Sequence, residues 1–103
     1  MELTVLERLL LLNMLPAEGD LTTIRIVHNL RQELSFSEEE HAKLQFAQDG
    51  GNVQWQEGAI PNKVFDFAPK AAGLIAESLS KLDKEKKVKP EHLGLFDKFK
   101  IGG

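Results

Sequence analysis

The sequence predicts a small α+β domain: three helices, a small antiparallel sheet, then two C-terminal helices. Two observations support this prediction. On both sides of the chain's middle, apolar residues recur at the three- and four-residue spacing of amphipathic helices. Between these segments, apolar and polar residues alternate, which is the period of a strand with one buried face.

Length and composition predict one domain that folds without a metal or disulfide. The chain has 103 residues, close to the usual size of a single domain, and it has no cysteine. We expect one domain over residues 1–101 and a flexible tail at residues 102–103. The longest apolar run, residues 9–12, is far shorter than the roughly 20 residues of a membrane span, which favours a cytoplasmic protein.

Helix-start and helix-stop signals define the three N-terminal helices. A leucine-rich first helix should end before Pro16, because the residue preceding a proline disfavours helical torsions. Asp20 is a favourable N-cap for a second helix that extends to about Leu34. Ser37 and Glu40 have the spacing of a capping box, which predicts a short third helix.

The aromatic middle of the chain predicts strands. Phe46, Val53 and Trp55 lie at alternating positions around Gly50–Gly51, which is typical of a hairpin with a tight turn. We expect a short third strand at residues 64–67 to complete the sheet. The rings of this region, including Phe46 and Trp55, are expected to lie in the core.

Two prolines define the starts of the C-terminal helices. Pro69 is placed for the first turn of a fourth helix, where its missing N–H costs nothing. Gly73 in the interior of this helix predicts close packing, since glycine there costs about 1 kcal/mol relative to alanine. Pro90 opens a short fifth helix, and we expect His92 to be exposed in its first turn.

No pattern in the sequence predicts an enzyme, and we expect no catalytic, metal or cofactor-binding residues. His28, His41 and His92 lie outside the spacings of metal-binding motifs. Glu38 and His41 share a helix face, but they form only half of a carboxylate metal motif. The serines lack the surroundings of an activated nucleophile.

Charge is distributed unevenly along the chain. Residues 1–57 carry ten acids and four bases, a net charge of −6, whereas residues 58–103 carry six acids and nine bases, a net charge of +3. The basic excess includes a cluster that is a candidate interaction surface for phosphate or an acidic protein. A solvated linker between helices is the simpler interpretation of this cluster. Its members are Lys81, Lys84, Lys86, Lys87 and Lys89.

The order of three helices followed by a hairpin is also that of a winged helix. In that fold the third helix would enter the DNA groove, and here its N-terminal end carries the acidic run 38–40. Carboxylates at that position repel phosphate, whose neutralisation by Lys or Arg dominates DNA affinity. A winged-helix-like fold therefore stays open, while its usual mode of DNA binding is disfavoured.

The sequence thus favours a non-enzymatic module that binds another protein, with no membrane or cofactor requirement and an undetermined oligomeric state. The alternative is a winged-helix-like nucleic-acid-binding regulator that uses the lysine cluster. A second candidate surface is formed by Phe46 and Trp55, if Trp55 is exposed beside Phe46.

Several segments carry a resemblance over the whole chain. They are the leucine-rich run 6–12, the segment 15–19, the segments 25–31 and 36–40, and the lysine-rich run 82–87. In these segments the chain resembles short uncharacterised proteins encoded by bacteriophages and prophages. That resemblance implies a small accessory protein in an infected bacterial cell, and it implies no activity or site residue.

Overall fold

The computed structural model describes residues 1–99, apart from the side chains of Asp49 and Asn52. It confirms the α+β class, with five α-helices and two antiparallel sheets of two strands each. The tail predicted at residues 102–103 lies outside the described residues. The helices are α1 (Val5–Met14), α2 (Leu21–Leu34), α3 (Glu38–Leu44), α4 (Pro69–Lys84) and α5 (Leu93–Lys98). The strands are β1 (Glu2–Leu3), β2 (Ala47–Asp49), β3 (Asn52–Gln54) and β4 (Lys63–Val64).

The N-terminal helices begin at side-chain caps. The Asp20 carboxylate accepts a backbone N–H of the first turn of α2 at 2.7 Å. Ser37 and Glu40 form both hydrogen bonds of the predicted capping box at the start of α3. A second capping box, between Thr4 and Glu7, starts α1 and was not predicted from the sequence. Local hydrogen bonding therefore fixes where each of these helices begins.

The strands form two sheets instead of one. In the predicted hairpin, β2 pairs with β3 around Gly50 and Gly51, whose φ angles of 58° and 87° are the positive values that this tight turn requires. The third strand does not join the hairpin. It pairs antiparallel with β1 at the N-terminus, in a register that places Leu3 opposite Lys63. This pairing is favoured because it buries Leu3 completely in the core.

The core lies between α1, α2, α4 and α5, with Leu3 and Phe65 contributed by the β1–β4 region. Phe46 and Trp55 lie outside this core and are only half-buried, so the prediction that their rings are core residues is wrong. The physical reason is the separation of the two sheets. The hairpin follows α3 as an independent unit, whereas β4 carries Phe65 into the core.

The C-terminal helices begin at the two predicted prolines. Pro69 occupies the first turn of α4, and Pro90 opens a single 3₁₀ turn that continues into α5. His92 is 8% exposed, so the prediction that it is exposed is wrong. Its Nδ1 accepts the backbone N–H of Lys89 at 2.9 Å, which caps the 3₁₀ turn and holds the ring against the domain. No helix of residues 1–99 combines the length and apolar composition needed to cross a membrane.

Two helical glycines have different surroundings. Gly73 is exposed, and a Cβ at this position would meet nothing within 4 Å, so the prediction of close packing there is wrong. A Cβ on Gly94 would lie 3.0 Å from Oε2 of Glu7. The Glu7 carboxylate is held in place by the Thr4 N–H at 3.0 Å and by the ammonium group of Lys98. Close packing therefore explains the glycine at position 94 but not the one at position 73.

We expect Gly73→Ala to raise the free energy of unfolding by about 1 kcal/mol, because alanine has the higher helix propensity and the site is open. Gly94→Ala should gain less or lose stability, because its methyl group must displace the Glu7 carboxylate. Urea denaturation of both variants measures the difference. An equal gain in both would contradict the close approach at Gly94.

Candidate functional site

A buried arginine ties the ends of three helices together. Arg8 of α1 is 1% exposed. Its Nε donates to the carbonyl oxygen of Leu34 at 3.2 Å, and its Nη2 donates to that of Ser35 at 2.9 Å. These carbonyls lie at the C-terminal end of α2, where no further turn of helix supplies a donor and where a cation is favoured. Arg8 therefore caps α2 from a neighbouring helix.

The same guanidinium binds the start of α3. Its Nη1 lies 2.9 Å from Oε2 of Glu40, and its Nη2 lies 3.3 Å from Oε1, a two-point contact. Oε1 of Glu40 also accepts the Ser37 N–H at 2.9 Å. The hydrogen bond from Arg8 is the largest cause of the lowered pKa of Glu40, which falls from 4.5 to about 2, while desolvation opposes it. One ion pair thus sets the short connection between α2 and α3.

That connection presents Phe36, which the arginine holds in place. The guanidinium carbon of Arg8 lies 4.0 Å from the centroid of the Phe36 ring, a cation–π contact. The Phe36 ring also packs edge-on against Phe46 at 5.3 Å and His41 at 6.0 Å, and His41 lies 5.3 Å from Phe46. The three rings therefore form one cluster beside the Arg8–Glu40 ion pair.

The aromatic cluster lines an open cavity of about 360 Å³. Leu9 and Leu12, both half-buried on the side of α1 that faces this cavity, form the opposite wall. Val53 of the hairpin, which is 43% exposed, also lines it. We call this feature the aromatic groove, and its lining residues are Leu9, Leu12, Ser35, Phe36, His41, Phe46, Ala47, Gln48 and Val53.

The structure brings the predicted Phe46–Trp55 surface together beside this groove. The register that pairs Gln48 with Val53 puts Phe46, Val53 and Trp55 on one face of the hairpin. The ring centroids of Phe46 and Trp55 are 6.3 Å apart. Phe46 and Val53 line the groove itself, while Trp55 borders a neighbouring shallow cavity with Val53. The hairpin therefore supplies one wall of the aromatic groove.

The predicted lysine cluster lies elsewhere on the molecule. Lys81 and Lys84 are in the last turns of α4, and Lys86, Lys87 and Lys89 follow its end. All five side chains are exposed, and none of them lines the aromatic groove. The two candidate surfaces are thus separate.

The polar side chains of the groove are Ser35, His41 and Gln48. The hydroxyl of Ser35 donates to the Arg31 carbonyl within the last turn of α2. Outside the groove, the exposed His28 lies 3.3 Å from the amide nitrogen of Gln32 on the same helix. Among residues 1–99, no three or more His, Asp and Glu side chains cluster so that they could hold a metal ion. The arrangement in the groove favours contact with apolar side chains.

The helices α2 and α3 and the hairpin follow one another as in the winged-helix alternative. Glu38 and Glu39 are exposed at the N-terminal end of α3. Lys43, a base on this helix, lies 3.1 Å from the carboxylate of Glu39 in an exposed ion pair. The face that would meet DNA therefore carries negative charge.

Spacing patterns in the sequence did not identify Arg8, Phe36 or the half-buried leucines Leu9 and Leu12 as site residues. One signal was available for the arginine, because a single cation inside a run of leucines cannot lie on a wide apolar face without a partner. Its partners are 26 to 32 residues away in the sequence, so spacing rules could not identify them.

We expect Arg8→Met to lower the free energy of unfolding by about 3–5 kcal/mol, because it removes the buried guanidinium that donates to the Leu34 and Ser35 carbonyls and pairs with Glu40. Lys43→Met breaks the exposed pair with Glu39 and should cost less than about 1 kcal/mol. Denaturant unfolding of the two variants gives the comparison. Similar costs would show that the Arg8–Glu40 pair contributes no more to stability than the exposed Lys43–Glu39 pair.

The lowered pKa of Glu40 predicts an acid-sensitive stability. Because the folded pKa is about 2 and the ordinary value is 4.5, ionised Glu40 stabilises the fold above pH 4.5. This contribution is lost as the pH falls from 4.5 towards 2. We expect Glu40→Gln to be less stable at neutral pH and to lose less stability over that interval. Asp20, whose pKa is also lowered by the Thr23 backbone N–H, is present in both proteins, so the difference isolates Glu40. The measurement is the free energy of unfolding of both proteins between pH 2 and pH 5. An equal change with pH in the two proteins would contradict this assignment.

Comparison of the chain with family models, curated proteins and solved structures finds no match.

Proposed function

We propose that this protein is a non-enzymatic module that binds another protein through the aromatic groove. One observation carries the proposal: the groove leaves leucines and aromatic rings accessible between α1 and the hairpin. An open apolar surface that polar residues border is typical of protein-interaction sites. The partner is a protein segment that inserts apolar side chains into the groove.

The rings of the groove are suited to such a role because they are held before any partner arrives. Phe36 is fixed between the Arg8 guanidinium at 4.0 Å and the Phe46 ring at 5.3 Å. Gly50 and Gly51 fix the hairpin that carries Phe46 and Val53. Ordering side chains at an interface costs affinity, so a preformed wall lowers that cost. Aromatic residues in well-packed pockets also supply much of the binding energy of protein interfaces.

We also propose the kind of cell in which this protein acts. The resemblance of several segments to small phage-encoded proteins favours an accessory protein that acts in the cytoplasm of an infected bacterial cell. In that setting the groove binds a component of the host or of the phage.

A photocrosslinking residue at position 53 tests the proposal. Val53 lies at the groove, and Val64, which is 70% exposed, lies on the β1–β4 sheet outside it and is the matched control. Benzoylphenylalanine at position 53 should crosslink to a discrete protein in bacterial cells whose prophage encodes this chain. Benzoylphenylalanine at position 64 should crosslink to no discrete protein in the same cells. The adduct is identified by mass spectrometry.

A second pair of variants separates binding from folding. Val53→Glu should abolish capture by a probe placed at Gln48, because it introduces a charge into the apolar surface, and Val64→Glu should leave that capture unchanged. Both sites are exposed, so each variant should change stability by no more than about 0.5 kcal/mol. Equal capture through positions 53 and 64, or capture that survives Val53→Glu, would exclude the groove as the binding site.

A further inference from the structure

The five lysines at the end of α4, which we call the lysine surface, do more than neutralise the C-terminal end of a helix. Lys81 and Lys84 lie in the last turns of α4, where cations interact favourably with the helix dipole. Lys86, Lys87 and Lys89 lie beyond the helix, so this effect does not account for them. The ion pairs found among residues 1–99 use other cations, and all five of these side chains face solvent.

The backbone at the centre of the lysine surface favours glycine. The N–H of Lys87 donates to the Leu82 carbonyl at 2.9 Å, and the N–H of Lys86 donates to the Asp83 carbonyl at 3.0 Å. This pair of bonds is the Schellman ending of a helix, in which the residue at the position of Lys86 is left-handed and is usually glycine. Lys86 has a φ of 57°. A lysine is therefore present where glycine would be less strained.

Left-handed backbone alone does not mark a site. Gln45 has a φ of 51° at the end of α3, where its N–H donates to the His41 carbonyl. Lys86 differs from Gln45 because it stands among four other exposed lysines, and in the described residues the ion pairs use none of these five ammonium groups. Strain that is retained at a charged surface position points to a use for the side chain.

Charge balance decides what kind of anion the lysine surface fits. Residues 81–89 carry five lysines, Asp83 and Glu85, a net charge of +3. The whole chain has a net charge of −3, so the remaining residues carry −6. A long polyanion such as duplex DNA extends past the lysine surface and meets this negative charge. A short acidic segment can make all its contacts within the lysine surface. Residues 81–89 contain no arginine for bidentate base contacts and no aromatic ring for base stacking.

We propose that the lysine surface is a second interaction site, separate from the aromatic groove, which binds a short acidic segment of a partner protein. The contacts are exposed ion pairs, so affinity is modest and falls as salt screens the charges. Long-range attraction between the lysines and the acidic segment also speeds the encounter.

The test is fluorescence anisotropy with a labelled peptide of about ten glutamates, at low salt and at raised salt. We expect salt-sensitive binding that Lys84→Gln, Lys86→Gln and Lys87→Gln together weaken about tenfold, the loss of three surface ion pairs. A control variant with Arg25, Lys43 and Lys70 changed to Gln has the same net charge and should weaken binding less. Equal losses in the two variants, or no binding of the peptide at low salt, would overturn the proposal.

A duplex DNA of random sequence is measured in the same assay. Binding of the duplex that is tighter than binding of the peptide, and that is lost in the lysine variant, would overturn the proposal in favour of a nucleic-acid site. Weaker binding of the duplex than of the peptide supports it.

Lys86→Gly provides a readout that a purely structural lysine would not give. The change relieves the left-handed strain, so the midpoint of thermal unfolding should rise by about 4 °C. Binding of the glutamate peptide should weaken about twofold in the same protein, because one ion pair is lost. Higher stability with unchanged affinity would show that Lys86 is not part of the site.

Discussion

The Arg8–Glu40 ion pair is the interaction on which the arrangement of the N-terminal half depends. A buried guanidinium costs several kcal/mol of lost hydration, and the fold offsets that cost only because the group has several acceptors. Two of them are carbonyls at the end of α2, and the third is a carboxylate at the start of α3. One side chain of α1 therefore satisfies the end of one helix and fixes the beginning of the next.

The position of the aromatic groove follows from this constraint. The connection between α2 and α3 is only three residues long, and Arg8 and Glu40 hold it by its backbone and side chains. Phe36 in this connection stacks on the guanidinium and cannot turn into the core between α1, α2 and α4. The hairpin that follows α3 brings Phe46 against the same ring. The groove is thus an outcome of how three helix ends are joined, and it leaves Leu9 and Leu12 of α1 only half-buried.

The sequence could predict features that depend on interactions within one turn, but not those that depend on contacts between distant residues. Asp20, Ser37 and Pro69 act within one helical turn, and each starts a helix where local chemistry requires. Gly50 and Gly51 act within one hairpin turn. The pairing of β4 with β1 and the burial of Arg8 depend on contacts between residues far apart in the chain, and no spacing rule encodes them. The same limit explains the groove, whose walls come from three separate segments.

The two surfaces differ in the range of the forces that they use. At the proposed groove site, attraction comes from contact with rings that are packed together in the fold, and it vanishes beyond a few ångströms. At the proposed lysine site, attraction comes from charge and extends over roughly a Debye length of 10 Å at 0.1 M salt, through exposed side chains that the ion pairs of the described residues do not use. Charge attracts a partner from a distance but discriminates weakly, whereas contact discriminates strongly at short range. The rings of Phe36 and Phe46 are packed against each other and Phe36 lies on the Arg8 guanidinium, whereas the five lysines are exposed to solvent, so a fixed shape is found only at the contact surface.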